Sequence, residues 1–140
     1  MKTVTIRQQQ NNTKNTKFAT TGSILFVVTE DWYFVSHRLQ LALHLKSKGY
    51  DVAVATNTRD NALTIADAGI SLIPLQHMKR RGANPFIAFL AVIELALVYR
   101  RFRPDVVHHV ALFPVVIGFF AAVLSGVRRR VNAIAGLGFV

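Results

Sequence analysis

Residues Ile24–Thr56 read ILFVVTEDWYFVSHRLQLALHLKSKGYDVAVAT. The run divides into an apolar strand (ILFVV), a polar and aromatic turn, an amphipathic stretch ending at Gly49, and a second apolar strand, DVAVAT. Strands that are apolar on both sides suit burial beneath helices on each face, so the run predicts one βαβ unit with parallel strands. Its first turn gathers Glu30, Asp31, Trp32, Tyr33, Ser36, His37 and Arg38. In open parallel sheets ligands sit beyond the carboxyl ends of the strands, so this turn is the first place to seek a site.

The alternation continues outward. Ser36 reads as the N-cap of the first helix, and Leu39, Ala42 and Leu43 repeat at helical spacing, with Leu41 and Leu45 widening the stripe. Gly49 supplies a left-handed stop. A short helix is expected over 59–68, closed by Gly69, and a third strand over Ile70–Leu75. After the basic loop QHMKRRGAN, Asn84-Pro85 reads as an N-cap with proline at the first helical position, opening a helix that Pro104 stops near Phe102. Asp105–Val110 is a fourth strand, a very apolar helix runs from Pro114 to Gly126, and Val131–Ile134 begins a fifth strand. Five strands alternating with four helices predict an α/β fold, a doubly wound parallel sheet with right-handed crossovers. The bare sheet edge near Val140 reads as the mark of a piece cut from something longer. Residues 24–140 are expected to form one domain, incomplete at its carboxyl end, and the polar segment 1–23 a disordered tail without the apolar core of a secretory signal.

A chain of 140 residues has room for one domain with a real core. It has no cysteine, which excludes disulfides, thiolate metal sites and a cysteine nucleophile; five histidines without HExxH spacing point to no metal centre. A net charge of +10 favours anionic partners. Nucleic acid is not expected among them, because no recognition motif accompanies the charge and the aromatics lie in apolar runs.

A mean hydropathy of +0.32 makes membrane contact worth weighing. The uncharged run from Val110 to Val127 is interrupted by Pro114 and Gly118. Its helix of about 13 residues spans roughly 20 Å, short of a hydrocarbon core of roughly 30 Å, so a buried crossover helix is expected rather than a span. Helix 85–99, PFIAFLAVIELALVY, is apolar almost all round with Glu94 its only charge; Lys79, Arg80 and Arg81 precede it and Arg100, Arg101 and Arg103 follow. Two readings stay open for it: burial by a neighbouring domain, or an interfacial helix lying on an anionic membrane.

The adjacent carboxylates of Glu30 and Asp31 suit sugar hydroxyls or a general base. No GxGxxG follows the first strand and no GxxxxGK[ST] occurs, which argues against a dinucleotide enzyme and a P-loop hydrolase. His37, in the first turn of a helix opened by Ser36, is expected to be neutral because the dipole disfavours imidazolium there. Arg38 beside it suits a phosphate or carboxylate. His108 and His109, successive residues of one strand, must point to opposite faces, so one is expected to pack against a helix while the other faces the crevice. Arg128, Arg129 and Arg130 fall at the amino end of the fifth strand, away from the crevice, as a solvated or membrane-facing patch.

With these residues in place, the sequence resembles the amino-terminal half of glycosyltransferases of the GT-B fold, family 4 type. The resemblance rests on TEDWYFVSHR, AGISLIPL, RPDVVHHVALFPVVIGFFAAVLSGV and NAIAGLGF, in order, across most of 24–140. It implies transfer of a sugar from a nucleotide-sugar donor to an acceptor, often a lipid-linked saccharide of cell-envelope polysaccharide synthesis. It also implies a cytoplasmic protein, peripheral on the inner face of the membrane. The amino-terminal domain would bind acceptor, lined by Glu30, Asp31, Trp32, His37, Arg38, His108, His109 and Asn132. No cofactor is implied beyond the nucleotide sugar as co-substrate, held mainly by a donor domain supplied in cis or in trans. No catalytic residue is assigned. An alternative reading is a non-catalytic membrane-docking subunit of a split glycosyltransferase.

Overall fold

The computed structural model describes residues 20–79 and 84–134. Five strands, β1 (Gly22–Glu30), β2 (Tyr50–Asn57), β3 (Ser71–Pro74), β4 (Val106–Val110) and β5 (Arg130–Ala133), pair entirely in parallel in the order β3-β2-β1-β4-β5. The connecting helices are α1 (Asp31–His37), α2 (Leu39–Ser47), α3 (Ala62–Asp67), α4 (Pro85–Phe102) and α5 (Leu112–Ser125). The expected doubly wound parallel α/β sheet is what the chain forms. β1 begins two residues upstream of the boundary read from the sequence, at Gly22, which pairs with Tyr50. The polar tail through residue 19, Arg80, Arg81 and the stretch from Ala135 onward lie outside the described residues.

Central β1 shows why its sequence is apolar at every position: Ile24–Val28 are all buried, with helices on both sides. Leu25 and Val27, with Ala53, Ala55 and Val107, face Ala91, Leu95 and Tyr99 of α4 and Ile117 and Ala121 of α5. Phe26 and Val28, with Val52 and Val54, face Phe34 of α1, Ala42 of α2 and Ile65 of α3. Fully buried side chains the size of Phe26 and Phe34 each contribute about 2–3 kcal/mol by removal from water, and their rings meet edge-on at 5.6 Å.

The helix punctuation follows the sequence at α4 and departs from it at α1. The Asn84 side chain accepts from the Phe86 N–H at 3.0 Å ahead of Pro85, and α4 ends at Arg103 in the left-handed conformation, just before Pro104. Ser36, read as an N-cap, lies inside α1, which starts directly after Glu30 with acidic Asp31 in its first turn. The helix then breaks at Arg38 (φ −125°, ψ −14°) and restarts as α2. Asp31 won over Ser36 because the buried contact of Phe34 requires helix from the first residue after the strand. The last helix also starts earlier than expected, at Leu112, and its proline sits in the first turn, where a missing N–H costs nothing.

α4 and α5 pack side by side over one sheet face, and their outer surfaces stay apolar. Phe86, Phe89, Ile93 and Leu97 on α4, and Val116, Phe119, Phe120, Val123 and Leu124 on α5, are exposed. The expectation that α5 is a buried crossover helix therefore holds for its inner side only. No helix among the described residues is long and apolar enough to cross a membrane.

Candidate functional site

The strand order reverses between β1 and β4: from β1 the chain winds outward through β2 and β3, then returns to lay β4 and β5 on the other side. The crevice at such a switch point lies beyond the carboxyl ends of the two strands, here Glu30 of β1 and Val110 of β4. Both strand ends have irregular backbone. The pairing of β1 with β2 shifts between Val27 and Glu30, a bulge that re-aims the strand end. Ala111, which joins β4 to α5, has φ 75° and ψ 162°, a region natural to glycine that costs another residue about 1–3 kcal/mol. Its N–H donates to the Ala133 carbonyl of β5 at 2.9 Å, which helps hold it there.

At the end of β1, Glu30 is half-buried and its carboxylate accepts from the Trp32 indole N–H. Trp32 itself is 43% exposed and stands edge-on to Tyr33, which lies 4.4 Å from the His37 ring. Asp31 is different. It is fully buried, one oxygen accepts from the Trp32 N–H at 2.7 Å, and the other accepts from the backbone of Arg59 at 2.7 Å and Asn61 at 2.9 Å. Burial alone would raise its pKa, but these backbone donors outweigh that effect and hold the carboxyl below its ordinary value. Asp31 thus ties the β1–α1 turn to the β2–α3 loop. His37 closes α1 rather than opening a helix, so it lies at the carboxyl end of the helix and not at the amino end expected from the sequence.

His108 and His109 diverge to opposite faces, as the strand period requires. His109 is fully buried beneath α4 and α5. Its Nδ1 lies 2.9 Å from Asn132 Oδ1 on β5, and its Nε2 lies 2.6 Å from the Tyr99 hydroxyl on α4. Because the amide oxygen only accepts, Nδ1 carries the hydrogen and Nε2 accepts from Tyr99. Burial lowers the His109 pKa, opposed by the Asn132 hydrogen bond and reinforced by Arg130; burial pushes Tyr99 up. His108 faces the other way, 5.0 Å from the Phe26 ring. Its pKa is lowered by burial first, then by the charges of Arg38 and His109. His108 Nε2, Arg38 Nε and Thr58 Oγ1 are buried polar atoms with no hydrogen-bond partner among the described residues.

The eight site residues read from sequence therefore fall into groups. Glu30, Asp31 and Trp32 share the end of β1; His108 and Arg38 share the α1–α2 face; buried His109 is joined to Asn132, which is exposed on β5; His37 sits at the far end of α1 with Tyr33. Tyr99 escaped the sequence reading, although its hydroxyl, alone in the apolar helix 85–99, signals a buried polar partner. Among the described residues, no group of three or more His, Asp or Glu is placed to hold a metal.

A doubly wound parallel sheet with a switch-point crevice is the architecture of one half of a GT-B enzyme. The chain belongs to the glycosyl transferase 4-like family, whose model matches residues 23–140. The fold is similar to a glycosyltransferase from Rickettsia africae (17% identity, TM-score 0.68, 85% of this chain and 31% of that one). It is also similar to MurG from Acinetobacter baumannii (17% identity, TM-score 0.60, 79% and 33%). A UDP-N-acetylglucosamine 2-epimerase shares it as well (20% identity, TM-score 0.61, 84% and 34%). The chain thus spans about a third of the length of these proteins. No curated protein sequence matches it. The epimerase shows that the fold alone does not fix the reaction.

Proposed function

We propose that this chain is the acceptor-binding half of a glycosyltransferase that moves a sugar from a nucleotide-sugar donor onto a saccharide acceptor, with a lipid-linked saccharide of cell-envelope polysaccharide synthesis as the favoured class. The observation that carries the reading is the family match over nearly the whole fold. The crevice chemistry supports it. Exposed Trp32, hydrogen-bonded to Glu30, offers a flat apolar surface beside a carboxylate, which suits the two-sided character of a sugar ring. The Arg38 guanidinium, whose Nε is buried next to His108 and unpartnered among the described residues, supplies a positive charge suited to a ligand phosphate. Asp31, Asn132 and His109 act as positioning residues that hold the loops and strand ends. Nucleotide-sugar binding falls to a donor domain, because transfer requires both substrates in one closed site.

The test is saccharide binding by the folded chain, followed by NMR, with a short-chain prenyl diphosphate-linked N-acetylglucosamine and UDP-N-acetylglucosamine as the two probes. The expected result is acceptor-induced shifts at Trp32 and His108, weakened about tenfold by Arg38→Gln, with no comparable response to the nucleotide sugar. Shifts at the crevice from the nucleotide sugar alone would overturn the assignment.

The exposed apolar faces of α4 and α5 favour a second reading, a docking subunit of a split glycosyltransferase that sits peripherally on the cytoplasmic membrane face. A chain that binds anionic vesicles and neither saccharide probe would fit this reading and not the first.

A further inference from the structure

A concavity lies at the opposite end of the strands from the crevice, at the amino ends of β4 and β5. It has a volume of about 690 Å³, and its walls include Arg100, Arg103, Arg128 and Arg129, with Asp105 as the single acid. None of the four arginines makes an ion pair among the described residues, where His77–Glu94 is the only one within 4.0 Å. Asp105 is already engaged: its Oδ2 accepts from the Ser23 N–H at 2.8 Å and the Ser23 hydroxyl at 3.2 Å. Arg100 donates one N–H to the Leu124 carbonyl at 3.1 Å, which fixes the side chain and leaves its other donors free.

Ordinary dipole compensation does not account for this arrangement. Arginines in the last turn of α4 complement its negative end, but Arg128 and Arg129 follow Gly126, beyond the end of α5. Four guanidiniums set against one carboxylate and two helix ends of about half a charge each leave about two positive charges facing one recess. Guanidinium forks match phosphate oxygens in pairs. We propose that this recess binds a phosphate group, held by Arg100, Arg103, Arg128 and Arg129, at a site separate from the sugar crevice.

Two sources share that chemistry, a lipid headgroup and a soluble phosphomonoester. The walls favour the lipid: Phe120, Val123 and Leu124 stand exposed along the last turns of α5, whose Ser125 and Gly126 border the recess. A phosphate seated between the arginines would place acyl chains along that face.

The full chain is tested by co-sedimentation with vesicles of 30% phosphatidylglycerol in phosphatidylcholine, and with phosphatidylcholine alone, at about 0.15 M salt. NMR titration with sn-glycerol 3-phosphate runs in parallel. Replacing two recess arginines (Arg103→Gln with Arg128→Gln) is expected to weaken binding tenfold or more. Removing the same charge elsewhere (Lys48→Gln with Arg59→Gln) is expected to weaken it less than threefold. Anionic-vesicle binding with weak glycerol phosphate binding assigns the lipid source, and saturable shifts of the recess arginine side chains by glycerol phosphate assign the soluble one. Equal losses in the two double variants, or no response to either ligand from the folded wild-type chain, would overturn the proposal. The titration of the wild-type chain keeps the test decisive if the recess variant fails to fold.

Discussion

At Asp31 three backbone N–H groups, one from the first turn of α1 and two from the loop after β2, converge on one buried carboxylate. Asp31→Asn preserves the shape but turns an amide N–H2 toward either the Trp32 donor or the Arg59 and Asn61 pair, leaving at least one donor unpaired. The expected cost is about 1–3 kcal/mol, read as a lower urea midpoint, and an unchanged midpoint would show that the loops do not depend on the charge. That Asp31 is engaged while Glu30 stays half-exposed was not legible in the sequence. Two adjacent acids look alike there, and only the position of the 58–61 loop, brought in by β2, selects between them. The same holds for Glu94. It reads as the lone charge of an apolar helix, yet its carboxylate accepts from the backbone of Gln76 at 2.7 Å and His77 at 2.9 Å and so pins the loop after β3.

At the scale of elements, the fit of α5 against the sheet depends on Gly118. A methyl group there would overlap the His109 imidazole, so the helix can cross β4 this closely only where it lacks a side chain. Gly118→Ala is expected to destabilise the chain by about 1–3 kcal/mol through overpacking. In a double-mutant cycle with His109→Ala, part of that loss should return; strict additivity of the two thermal-melt effects would contradict the contact. In the sequence Gly118 registered only as an interruption in an apolar run. The elements themselves were legible, because caps and periodicity are local: Asn84-Pro85 opened α4 and Pro104 closed it where expected. The start of α1 was not, since Ser36 and Asp31 are both acceptable helix beginnings and the core contact of Phe34 decided between them.

For the molecule as a whole, two half-buried or buried histidines make stability depend on pH. His108 and His109 both have folded pKa values below the ordinary 6.5, so the unfolded chain binds protons first as pH falls. Their stabilisation is complete above about pH 6.5 and is lost as pH drops from there toward the folded values, by at most about 1.4 kcal/mol per pH unit for each histidine. Burial is the largest cause of both shifts; the charges of Arg38 and His109 add to that of His108, while Asn132 opposes and Arg130 adds to that of His109. Asp31, also lowered, holds its contribution until pH falls below about 3.8. Urea midpoints at pH 7.5 and 5.5 are expected to differ, with a smaller difference in His109→Leu; a flat profile would contradict the burial of both rings in the neutral form. Sequence by itself determined the alternation of strands and helices, the parallel sheet and the family, because apolar periodicity, helix stops and local motifs are written along the chain. Tertiary structure alone decided which polar residues hold the frame, which face each histidine of β4 takes, and that two pairs of arginines distant in sequence border one recess. Those facts depend on strand order and on which helix crosses which face, and no local pattern specifies either.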